Sequence, residues 1–106
     1  MRFFICLVLL CANAVYADEV ATRAEHMEVC ALRSKLAGLI MEFRQSGKPV
    51  AEMMSVVGDE TYSQALVEVA YRQPRFLTEE AQQREIVEFS NAAYMNCFDK
   101  IPKDAR

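Results

Sequence analysis

The chain has 106 residues, 53% of them apolar, and a formal charge of −3. That leaves room for one domain, and an acidic surface with interspersed Lys and Arg offers no extended basic face to nucleic acid. It also excludes a large core, because a mature domain of about ninety residues buries a modest one and has little stability in reserve.

The first element is a leader. Met1–Ala17, MRFFICLVLLCANAVYA, has a single positive charge at Arg2 and an apolar run from Phe3 to Ala12. It ends in Val15-Tyr16-Ala17, β-branched at −3 and small at −1. These features predict a secretory signal peptide cleaved after Ala17, to be left out of the fold. The run is shorter than the ~20 residues that span a bilayer, so no stable membrane insertion is expected after cleavage. Lipidation at Cys11 is the alternative, with bulky Leu10 standing where a lipobox takes a small residue. All 15 acidic residues follow Ala17 and only Arg2 leaves with the leader, so the charge of 18–106 is 11 − 15 = −4.

Cys6 and Cys11 depart as well, leaving Cys30 and Cys97. Two cysteines in a small exported domain are most simply a disulfide, two buried free thiols being the alternative. Closing a loop of nearly seventy residues is worth about 4 kcal/mol in the chain-entropy account. A redox role lacks the C-x-x-C spacing that activates a thiol.

Asp18–His26 is a polar lead-in or first turn. In Met27–Phe43, Val29, Leu32, Leu36, Leu39 and Phe43 recur at steps of three and four. That spacing predicts a helix to about Gln45 with these five turned to the core. Glu42, Arg44 and Gln45 form a solvated polar end, and Ser46-Gly47 terminates it. Pro49 suits the first turn of a short second helix carrying Val50, Met53, Met54 and Val57. Met41, Met53 and Met54 fill the core or else offer a partner an adaptable groove.

Gly58 closes that helix, and Asp59 is the expected N-cap of the third, with Glu60 near the positive end of its dipole. Tyr62, Leu66 and Val69, with Ala65 beside them, make its apolar face. Pro74 stops it and pushes Gln73 out of helical geometry. Thr78 caps a fourth helix with Glu79 and Glu80 in its first turn, and Ile86, Phe89, Ala93 and Cys97 share one face. The tail from about 99 is charged and expected to be mobile. The fold expected is all-α: a small antiparallel bundle of about four helices, one short, running up-down-up-down and stapled by Cys30–Cys97.

Chemistry is sparse. His26 stands four residues before Cys30, but a structural metal site needs four ligands and no second His/Cys cluster exists. No serine has nucleophile-elbow glycines, and three glycines make no phosphate loop. Glu79/Glu80 and Glu85/Glu88 sit where solvent-facing helix acids normally sit. No cofactor, metal or catalytic residue is expected. The most suggestive surface is the corner Ala70–Phe76, AYRQPRF, where Tyr71, Arg72, Arg75 and Phe76 are residue types that interfaces favour. Its alternative reading has the two aromatics cap the core while the arginines pair with Glu68, Glu79 or Glu80.

Cys30, Ala37–Gln45 (AGLIMEFRQ) with Gly47, the AYRQPRF corner, and Glu88-Phe89-Ser90-Asn91 leading to Tyr94 and Cys97-Phe98 resemble a loose group of small exported bacterial and prophage-encoded proteins. The resemblance implies an envelope or secreted setting and a paired Cys30–Cys97, and brings no activity with it. The expected function is an exported, non-enzymatic module that binds another protein or an envelope component. A chaperone-like envelope stress protein and a small carboxylate-dependent hydrolase are the alternatives. Intact-mass analysis of exported protein should give a chain starting at Asp18, whereas a lipid-modified start at Cys11 would refute the cleavage site.

Overall fold

The computed structural model describes residues 21–106; the leader, its cleavage site and Cys11 lie outside them. The described chain forms four helices: α1 (Arg23–Gln45), α2 (Val50–Val57), α3 (Thr61–Arg72) and α4 (Glu79–Asp99). No strand occurs among the described residues, and the fold is a small all-α bundle.

Side-chain caps set the boundaries. Thr22 Oγ1 accepts the Glu25 N–H at 3.2 Å, and Thr78 Oγ1 accepts the Ala81 N–H at 3.2 Å. α1 closes in a Schellman motif: the Lys48 N–H donates to the Phe43 carbonyl and the Gly47 N–H to that of Arg44, both at 3.1 Å. Gly47 takes the left-handed conformation this requires, φ 87°. At α3 the cap is Glu60 rather than the expected Asp59. Its two carboxylate oxygens reach the N–H groups of Tyr62 and Ser63, at 3.3 and 2.6 Å, satisfying two donors that one residue earlier would miss. Hydrogen bonds from the Ser63 side chain and backbone hold the Glu60 carboxyl below the usual carboxylate range.

The topology is up-down-up-down. Cys30 is bonded to Cys97, with Cα atoms 5.4 Å apart, and Ser34 meets Ser90, so α1 and α4 are antiparallel. Arg33 lies over the Tyr62 ring and Arg44 over Tyr71, so α3 runs parallel to α1 and the short α2 carries the chain back. α1 packs most extensively on α4. Small residues make that approach close: a Cβ at Gly38 on α1 would stand 3.6 Å from the Ser90 hydroxyl on α4. The Ser34 and Ser90 hydroxyls are 2.8 Å apart, each also 2.9 Å from the other's main-chain carbonyl. Two protons serve three contacts, so the pair satisfies itself without outside partners.

The core differs from the one the spacing of α1 predicts. Its buried cluster is Ile40, Met41, Met53, Val67 and Ala70, flanked by Leu36, Met54 and Ile86 among others. The methionines therefore fill the core. Of the five residues expected to face it, Leu32 is 64% exposed, Leu39 50%, Val29 46% and Phe43 37%. Only Leu36 reaches the cluster. α1 buries a neighbouring face instead, through Cys30, Ala37, Ile40, Met41 and Gln45. The disulfide and the small-residue seam with α4 decide which face turns inward, because they admit a closer backbone approach than leucines would.

The tail is folded back. Ile101 is buried, and the Arg23 N–H donates to the Arg106 carbonyl. Removing the staple in a Cys30→Ser/Cys97→Ser variant should lower stability by about 4 kcal/mol in urea unfolding, the value expected for a crosslink of this loop length.

Candidate functional site

α3 and α4 are joined by a tight turn, yet their backbones scarcely approach each other. Between them runs a groove of about 340 Å³, lined by Tyr62, Ala65, Leu66 and Val69 from α3 and by Phe89, Ala92, Ala93 and Asn96 from α4. Leu66 and Phe89 form its floor by packing onto the core cluster. The alanines keep it open, since a larger side chain at 65 or 92 would close it. The Arg33 guanidinium, 4.2 Å from the Tyr62 ring centroid, holds that ring in place. Burial pushes the Tyr62 phenol above its ordinary pKa, so it stays neutral and can donate a hydrogen bond at the groove's end. Asn96 stands at the same end, because α4 runs against α3. Glu85, four residues before Phe89, and Asp99, three after Asn96, share the face of α4 that lines the groove.

The residues of this groove were legible as apolar helix faces but read as core. What separates a groove wall from core here is the small Ala65, Ala92 and Ala93 opposite larger neighbours. Asn96 carries no sequence signal of its own.

At the corner Ala70–Phe76 the side chains and backbone bond to the end of α1. Tyr71 donates its hydroxyl to the Lys48 carbonyl at 2.7 Å beneath the Arg44 guanidinium. Arg75 Nε donates to the Gln45 carbonyl at 2.9 Å and its guanidinium lies against Gly47. Phe76 is half-buried, and its N–H donates to Gln45 Oε1 at 2.8 Å. Arg72 is exposed and paired with Glu68. Gln45, expected in a solvated turn, is 1% exposed and is the centre of the arrangement. Its Nε2 donates to the Pro74 carbonyl at 3.0 Å, while Arg44 donates twice to the Gln73 carbonyl and Gln82 to that of Phe76. The corner is a clamp joining the end of α1 to the α3–α4 turn.

Two further hollows hold polar residues. His26, Arg33 and Lys100 border one of about 170 Å³ beside the disulfide. Glu42 and Glu79 border another of about 420 Å³, with Gln45, Gln82 and the fully projecting Leu77. Both of those carboxylates are exposed, and among the described residues neither accepts a side-chain hydrogen bond that would orient it for acid–base work. Glu80 faces Arg84. Among the described residues no three His, Cys, Asp or Glu side chains stand close enough to hold a metal ion. No helix among them is long and apolar enough to cross a membrane.

No protein-family model matches the chain, and searches of curated proteins and of solved structures found no match either.

Replacing Gln45 by Leu keeps the buried volume but leaves the Phe76 N–H and Pro74 carbonyl without partners. Two such losses should destabilise the protein by roughly 2–4 kcal/mol in urea unfolding, with the corner backbone gaining amide exchange; unchanged stability would refute the clamp.

Proposed function

We propose that the protein is a small exported binding module that takes an apolar-faced helix of a partner protein into the α3–α4 groove and binds it without transforming it. The groove is the observation that carries this reading: an open apolar trough about 340 Å³ in volume in a domain whose core is small. Its walls are helices whose backbone groups are already bonded, so it offers a guest no main-chain partners. A guest segment must satisfy its own backbone, which favours a helix over an extended strand. Glu85 and Asp99 on the groove face of α4 favour basic residues on the flanks of that helix.

Export is supported by the leader pattern of Met1–Ala17 and by the Cys30–Cys97 disulfide, which persists in oxidising compartments. The corner of Tyr71, Arg75 and Phe76 supports the groove indirectly by fixing where α3 ends and α4 begins.

The test is a photo-crosslinking residue placed at Val69, compared with one at the projecting Leu77, in the presence and absence of Ala92→Phe. The reading expects capture at Val69 that Ala92→Phe abolishes, with the crosslinked peptide mapping to a basic amphipathic helix. Equal capture from both positions, or capture indifferent to Ala92→Phe, refutes the groove. Capture of many unrelated unfolded chains favours the chaperone-like alternative.

A further inference from the structure

α1 carries an apolar face that its own bundle does not use. Val29, Leu32, Leu36, Leu39 and Phe43 follow steps of three, four, three and four, the a and d positions of a seven-residue repeat. A core-facing stripe is broader. All but Leu36 are exposed. The buried face of α1 lies about a third of a turn away around the helix. We propose that this narrow seam is the interface between two copies of the chain, with their α1 helices antiparallel.

The charges beside the seam select both the occupant and its register. Glu28, Lys35 and Glu42 repeat every seven residues along one flank. All three are exposed, and the ion pairs of the described residues join other side chains. In an antiparallel pair this flank faces the same flank of the second copy. Aligning Leu32 with the second copy's Phe43, and Leu36 with its Leu39, sets each Lys35 beside a Glu42, twice by symmetry. The neighbouring stagger, Val29 on Leu39, sets Lys35 against Lys35 and Glu28 against Glu42, which like-charge repulsion disfavours. A parallel pair sets Lys35 opposite Ile40, which is buried in its own core, and draws Glu28 toward Arg33, which is already stacked on Tyr62. Of the antiparallel staggers that overlap four apolar pairs, the surface is complementary to itself in one, and this makes a second copy the fitting partner.

Sedimentation velocity of the oxidised mature chain, from micromolar to millimolar, reads the outcome. The wild type should form a dimer. Leu32→Lys/Leu39→Lys should abolish it without moving the melting temperature of the monomer, read at concentrations too low for the wild type to pair, because both side chains are exposed. Lys35→Glu should raise the dissociation constant about tenfold, and adding Glu42→Lys to it should restore the wild-type value. A monomer throughout, or a dimer indifferent to the leucine substitutions, overturns the interface. Failure of the double charge reversal to restore affinity overturns the antiparallel register.

Discussion

The close approach of α1 and α4, bolted at one end by Cys30–Cys97, is the constraint on which the rest of this structure depends. Two helices come near each other only where their facing residues are small, and Ser34, Gly38 and Ser90 supply that face. Once it is turned inward, the rotation of α1 about its axis is settled, and the leucine-bearing face has to point elsewhere. The covalent link offsets what this choice forgoes. A domain this small would otherwise need its large apolar side chains in the core, and a crosslink over a long loop removes unfolded-state entropy on the same scale.

The far end is held by polar chemistry. Gln45 uses both ends of its amide on the Pro74–Phe76 backbone, while Arg44 and Arg75 tie Gln73 and the last carbonyl of α1. With α1 and α4 fixed at both ends, α3 is positioned by its cap at Glu60, by Val67 and Ala70 in the core, and by Arg33 and Arg44 stacked over its two tyrosines. Nothing pulls its outer face onto α4. The groove is a consequence of where α3 is anchored, so it is built into the fold and does not depend on a guest to open it.

Much of this was legible before the structure. Helix number, the ends at Gln45 and Gly47 and the cap at Thr78 follow from local signals, because caps and glycine turns are decided within a few residues, and the staple follows from the two cysteines that remain after the leader. Which face of a helix turns inward is a different kind of question. Periodicity shows that Val29, Leu32, Leu36, Leu39 and Phe43 share a side; it does not say whether that side meets the chain's own core. The same limit hid the groove, since Tyr62, Leu66 and Val69 have the spacing of a buried face. Gln45 escaped for the opposite reason. A polar residue at a helix end reads as solvated, and only the arriving Pro74–Phe76 backbone, about thirty residues later, gives its amide a reason to be buried.

The outward apolar face of α1 bears on function. In α1 Val29, Leu32, Leu39 and Phe43 lie outward, while Ala37, Ile40 and Met41 occupy the interior. Such a distribution is unfavourable for an isolated chain in water and becomes favourable when something covers the outward faces. The seam on α1 and the groove between α3 and α4 are separate surfaces, so occupying one leaves the other open. Two copies joined along the seam would carry two grooves related by a twofold axis. A partner displaying two suitable helices would then be held by both, with the second contact made at the high effective concentration set by the first. Modest grooves gain affinity in this way without a larger core, and a disulfide-stapled domain of this size is suited to that arrangement.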